Sequence, residues 1–204
     1  MRNSLILIFI LCILLCSNEL YSQTAVDHFK KGTEYFGKEN YQQAIEEFSS
    51  AIKLDQKYAE AYELRGLSNY YSGKFTEALN DYDKGIQFDS TNANYFYIRG
   101  GLKNQLEKYS DAILDFNSVI KFNPKFADAY FQRGKAKSQL TDYQGAIADF
   151  TESIQLEINN ADYYYSRGLV EFLAAKKEDA CKDFAKAKLL GHIKAAGSIE
   201  QHCK

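Results

Sequence analysis

Four arginines, Arg65, Arg99, Arg133 and Arg167, each precede an aspartate by sixteen residues: Asp81, Asp115, Asp149 and Asp183. A guanidinium facing a carboxylate in fixed register makes a bidentate pair of parallel hydrogen bonds, an arrangement suited to partly buried positions. The arginines project away from the face left open for a ligand, so the ladder belongs to the frame. Cys181 occupies the register held elsewhere by Ile45, Leu79, Ile113 and Ile147, which alone describes a buried small hydrophobe. Cys203 lies about as far beyond the Gly191-His192 turn as Cys181 lies before it, so two antiparallel helices would bring the pair together as a disulfide in an oxidising compartment. A loop of that size contributes roughly 3 kcal/mol on the chain-entropy account. A zinc site from Cys181, His192, His202 and Cys203 is the alternative, but its spacing matches none of the familiar ligand pairs. Only three histidines are present, His28 among them, with no glycine-rich phosphate loop and no Ser or Cys placed beside a recognisable base. No catalysis, cofactor or metal is expected. The formal net charge of -2 supplies no basic stripe for a phosphate backbone, so nucleic acid is not an expected partner.

The elements that carry these residues follow one period. Gly32, Gly66, Gly100, Gly134 and Gly168 are spaced by 34, and so are Ala44, Ala78, Ala112, Ala146 and Ala180, and the aromatics Phe48, Tyr82, Phe116, Phe150 and Phe184. Three residue classes in register over five copies define repeats at 25–58, 59–92, 93–126, 127–160 and 161–194, each the length of a helix-turn-helix unit. In the second copy Tyr62, Gly66 and Tyr70 have helical spacing, Gly73 closes that helix, and Phe75, Ala78, Leu79, Tyr82 and Ile86 mark a second amphipathic helix. Gly66 and Ala78 supply the lack of bulk that lets the two helices cross closely. Asn123-Pro124 marks the junction between two repeats, with the Asn as a cap.

These residues resemble the tetratricopeptide repeat family. The glycine, the first alanine and the second aromatic recur in every copy, and the leading aromatic stands as Tyr62, Phe96, Tyr130 and Tyr164. The chain departs from the family pattern in placing Arg before the glycine, in using His28 as the first leading aromatic, and in keeping the late proline only at Pro124. The resemblance implies an all-α, right-handed superhelical solenoid of five repeats whose concave surface is lined by the first helix of each. It also implies a non-catalytic module or scaffold that binds a protein or peptide there.

On that surface the expected partner-binding residues are Phe29, Glu63, Tyr70, Tyr71, Tyr97, Asn104, Phe131, Lys135, Tyr165 and Phe172. Phe29, Tyr97, Phe131 and Tyr165 recur at one depth where packing with the sister helix would not demand an aromatic; they serve either as anchors for a bound chain or as packing between repeats. The neighbouring acids favour a basic or neutral partner segment. Stacking on Tyr97 or Tyr165 would serve a small molecule or cell-wall glycan fragment as well.

The ends obey other rules. Arg2 precedes an apolar run from Leu5 to Cys16, and Leu20-Tyr21-Ser22 offers a small residue for cleavage, so residues 1–22 read as a secretory signal and the mature chain begins near Gln23. The run is too short for a spanning helix, and membrane contact is expected only if the leader stays attached. The location expected is periplasmic or extracellular. Residues 195–204 form a capping helix with Ala196, Ile199 and Cys203 on its apolar face and Ser198, Glu200 and Gln201 on its wet one.

Overall fold

The structure, a computed structural model, describes residues 24–204, and the expected signal segment lies outside the described residues. Helix α1 covers 24–37. It is followed by α2 (Tyr41–Leu54), α3 (Ala59–Tyr71), α4 (Phe75–Phe88), α5 (Ala93–Gln105), α6 (Tyr109–Phe122), α7 (Ala127–Gln139), α8 (Tyr143–Leu156), α9 (Ala161–Leu173), α10 (Lys177–Leu189) and α11 (Ala195–His202). Among the described residues there is no strand, and no helix is long and apolar enough to cross a membrane. The chain divides into two compact units, one running to Tyr95 and one from Phe96 to Lys204.

Within each unit the local construction is the same. The turn inside a hairpin takes one residue of left-handed backbone, at Glu39, Gly73, Glu107, Thr141 and Ala175, with φ between 59° and 74°. Glycine stands at only one of these, so the turn is imposed by the packing of the two helices it joins. Between hairpins an Asx turn folds the chain back: the main-chain N–H groups of Lys57, Thr91 and Lys125 donate to Asp55, Asp89 and Asn123. Asn123 therefore shapes the turn, and the residue that precedes the first turn of α7 is Phe126, not the asparagine.

Small residues and aromatics share the hairpin core. Ala44, Ala78, Ala112, Ala146 and Ala180 are fully buried, as are Phe48, Tyr82, Phe116 and Phe184, with Phe150 all but so. Burial of each such ring contributes about 2–3 kcal/mol. The close crossing requires glycine: a Cβ on Gly66 would stand 3.2 Å from both Asp81 Cβ and Tyr82 Cζ, and one on Gly134 would stand 2.8 Å from Phe150 Cε1 and 3.3 Å from the Ala146 carbonyl.

The arginine ladder ties hairpins as well as closing them. Arg65 Nη2 lies 2.6 Å from Asp81, Arg99 Nη2 2.5 Å from Asp115 and Arg133 Nη2 2.6 Å from Asp149, each with a second bond from Nε. Arg167 repeats the arrangement on Asp183. The remaining nitrogen reaches back sixteen residues to the preceding hairpin, so that Arg65 donates to Ser49, Arg133 to Asn117 and Arg167 to Thr151. Each guanidinium also lies 5.4–5.9 Å from the ring three residues before it, Tyr62, Phe96, Tyr130 or Tyr164.

Helix α11 packs on the last hairpin. Ala195 and Ser198 are its buried residues. The Tyr165 and Ser198 hydroxyls are 3.3 Å apart, and the His202 ring centroid lies 4.2 Å from that of Phe172. Ser198 was expected on the wet face; it is turned inward because its hydroxyl finds a partner there, a detail that apolar spacing does not encode. Cys181 and Cys203 stand with Cα atoms 5.7 Å apart and their sulfurs at covalent distance.

Candidate partner-binding face

In the first unit α1 and α3 carry the expected contact residues. Phe29 is half-buried, its ring 5.7 Å from Phe48 and 4.9 Å from Tyr58. Glu63 accepts a 2.6 Å hydrogen bond from Asn94, and burial pushes its carboxyl above the ordinary range, an effect opposed by that bond. Tyr70 lies edge-on to Tyr71 and near Phe75. Tyr71 is exposed and stacks on Tyr41 at 5.1 Å.

In the second unit the face is built by α5 from Phe96 onward, α7 and α9, with α11 at its end. Tyr97 packs against Phe116 and Phe126 and hydrogen-bonds through its hydroxyl to Asp128, while burial and that carboxylate raise the phenol's pKa. Phe131 lies 5.6 Å from Phe150 and 4.7 Å from Tyr163. Tyr165 lies 5.8 Å from Phe184 and stacks on His192, with ring centroids 3.8 Å apart and planes 20° off parallel. The recurring ring therefore does meet the sister helix. In each case it is wedged between the core phenylalanine of its own hairpin and a ring further along the chain. The glycan platform expected at Tyr97 and Tyr165 is correspondingly occupied, since Tyr165 offers one face to His192 and Tyr97 is flanked by two phenylalanines.

The acids beside these rings are engaged too. Asp128 takes the Tyr97 hydroxyl and lies 3.4 Å from Gln132 Nε2. Glu63 takes Asn94. Both contacts span 31 residues and join the first helices of successive hairpins. Lys135, by contrast, is exposed, lies over the Phe131 ring at 5.4 Å and, among the described residues, makes its one close polar contact with Gln132 Oε1 at 3.3 Å. Lys135 is thus an exposed cation on this stretch, while Asp162, also exposed, lies 3.5 Å from His192 Nε2.

What remains accessible is a cleft of about 280 Å³ between α5 and α7, lined by Gly101, Asn104, Gln105, Tyr109, Gln132, Lys135, Ala136 and Gln139. Beyond it lie exposed apolar residues of α9: Leu169, Phe172 and Leu173 are 37%, 36% and 58% exposed. Of the sequence-expected residues, Asn104 and Lys135 line the cleft and Phe172 belongs to the apolar stretch. Gln132, Gln139 and Tyr109 were not singled out, although the two glutamines lie within about one helical turn of Phe131 and Lys135. His192 and His202 lie against Tyr165 and Phe172, and among the described residues no group of three His, Cys, Asp or Glu side chains is placed to hold a metal ion.

Paired antiparallel helices at constant spacing, closed by small residues and stacked through first-helix contacts, define a helix-hairpin repeat array. The TPR repeat profile matches residues 32–71, and the Tetratricopeptide repeat profile matches residues 127–159. These two segments are thus matched as tetratricopeptide repeats. Solved structures agree on the fold. A crystal structure of MamA superposes with a TM-score of 0.80 at 24% identity, covering 85% of this chain and 95% of that one. YrrB, described as a TPR protein with an unusual peptide-binding site, gives 0.80 at 20% identity over 91% and 97%. PilF of Pseudomonas aeruginosa gives 0.70 at 18% identity over 88% and 86%. Among curated proteins none matches the chain.

Proposed function

We propose that the chain is a non-catalytic protein-interaction module that holds a peptide segment against the first-helix face of its repeats, divided as 25–58, 59–92, 93–126, 127–160 and 161–194 with 195–204 as cap. The observation that carries this reading is in the second unit: the rings of the face are already packed, yet α5 and α7 leave a polar cleft open and α9 continues it with exposed Leu169 and Phe172. Convergent polar groups beside exposed apolar anchors suit a polypeptide, whose backbone needs hydrogen bonds and whose side chains need apolar ground. In this reading Asn104, Lys135 and Phe172 of the second unit touch the partner, while Tyr97, Phe131 and Tyr165 support the face from beneath. The family profiles and the peptide-binding site described for YrrB support the class of function. Sugar binding finds less support, because the ring most suited to stack on a sugar, Tyr165, is covered by His192.

The same proposal places the protein outside the cytoplasm, on the strength of the leader at 1–22, with Cys181 and Cys203 joined there. Capture by the tagged mature chain, followed by crosslinking, tests the binding face: Leu169→Asp with Phe172→Ala should reduce capture at least tenfold with unchanged helicity. Equal capture by the double variant removes the face from consideration. Intact mass of the exported protein tests the rest, since a retained Met1 or two free thiols contradicts it.

A further inference from the structure

We propose that the cleft between α5 and α7 is a selectivity pocket for an uncharged carboxamide, the side chain of a Gln or Asn in the bound peptide. This rests on the peptide-binding reading above and names what that peptide presents.

The cleft exists because Gly101 replaces the side chain that its register carries elsewhere, Thr33, Leu67, Lys135 or Leu169. A Cβ placed on Gly101 would meet no atom within 4 Å, so the notch is open space and not a close approach of two backbones. Its polar walls contain no carboxylate, and their donors and acceptors are unequally used. Asn104 Nδ2 donates to the Gln132 main-chain carbonyl at 3.1 Å, which fixes the amide's orientation and leaves Oδ1 buried with no partner among the described residues. A buried acceptor without a donor is a standing cost that a ligand N–H removes. Lys135 presents a donor at the same cleft and makes no ion pair among the described residues.

These two groups together select the ligand. A carboxylate would satisfy Lys135 but set its second oxygen against Asn104 Oδ1. An ammonium or guanidinium would satisfy Asn104 but be repelled by Lys135. A carboxamide carries an N–H donor for Asn104 and a carbonyl acceptor for Lys135 on one planar group, and being uncharged it loses little hydration on entering. The cavity volume of about 280 Å³ accommodates such a side chain together with the stretch of backbone that bears it.

The test uses the mature chain labelled with ¹⁵N and a set of capped pentapeptides, Gly-Gly-X-Gly-Gly, with X as Gln, Glu, Lys or Ala. The Gln peptide should shift the amide signals of Gly101, Asn104 and Lys135 and bind at least fivefold tighter than the other three. Gly101→Leu should abolish that preference with unchanged or raised thermal stability, because the new side chain fills open space on a helix. Asn104→Leu should lower binding of the Gln peptide to that of the Ala peptide, because it removes the acceptor. Equal binding of the Glu and Gln peptides overturns the proposal, as does an unaltered preference in Gly101→Leu. Binding of tri-N-acetylchitotriose at these amides with no response to any peptide also overturns it, by showing that the amide is that of an amino sugar. Natural-partner capture that survives in Gly101→Leu but is lost on substituting Leu169 and Phe172 leaves the broader face intact and removes only the pocket.

Discussion

Replacing Glu171 should change how stability depends on pH. Its register holds Asn69, Lys103 and Lys137 in the three preceding hairpins and Tyr35 in the first. Asn69 donates to Asp81 at 2.9 Å, and the two lysines lie 2.8 Å from Asp115 and Asp149. Glu171 instead sets a second carboxyl beside Asp183. It is 7% exposed, its nearest cation is Arg167 at 3.9 Å, and its Oε2 has no partner. Burial, then the Asp183 charge, pushes its pKa up from 4.5 to about 7. A carboxyl whose folded pKa is raised binds its proton more tightly in the folded state, so its contribution is fully present below pH 4.5 and lost as pH rises through about 7. At about 1.4 kcal/mol for each pH unit between those values the loss has a ceiling of about 3 kcal/mol, and relaxation around a coupled pair reduces it to about 1–3. Glu171→Gln keeps the shape and removes the titration; Glu171→Lys restores the pairing of the other hairpins. Both should gain little at pH 4.5 and raise the midpoint of thermal unfolding at pH 8 by roughly 3–8 °C. Circular dichroism melts of the three proteins between pH 4.5 and 8 measure this. Parallel pH profiles for wild type and Glu171→Gln would refute the carboxyl pairing.

Tyr82 is fully buried with an unpaired hydroxyl where the other four hairpins have phenylalanine, so Tyr82→Phe should be neutral or stabilising by about 1 kcal/mol in a denaturant melt. Arg65→Ala should cost more than Arg133→Ala, about 3 kcal/mol against 1–2, because Asp149 keeps Lys137 at 2.8 Å while Asp81 keeps only the neutral Asn69. Equal losses would show that the neighbouring cation does not compensate. Thr141 holds a β-branched side chain at φ 62°, so Thr141→Gly should stabilise by about 1 kcal/mol, read as a higher denaturation midpoint at constant slope.

The hairpins were legible in the sequence because steric demand repeats with them. A glycine, an alanine and an aromatic must meet wherever two helices cross closely, so the period of 34 reports contacts inside each hairpin. The Arg–Asp pairs were legible for the same reason, as partners within one hairpin. Contacts between hairpins were harder to read. Tyr97–Asp128 and Glu63–Asn94 span 31 residues and join side chains of unlike type, so no residue class recurs to announce them. The rings at Phe29, Tyr97, Phe131 and Tyr165 look free when the first helix is considered alone and prove wedged between the sister helix and a ring further along the chain. Ser198 failed to declare itself likewise, because a hydroxyl takes a buried position only where a partner such as Tyr165 awaits it.

The packing of those rings also decides what kind of recognition this face can perform. With the recurring rings, Glu63 and Asp128 engaged within and between hairpins, the proposed binding would draw on the residues left over: amides and one lysine in the cleft, then aliphatic and aromatic surface on α9. Such a face does not obey the chain's net charge of -2. In the proposed pocket Lys135 would meet a carbonyl dipole, an interaction that falls off faster with distance, and is less sensitive to salt, than an ion pair would be. A partner held this way should therefore be retained through a moderate increase in ionic strength, whereas a partner held by charge against the uncompensated acids counted in the sequence would be released.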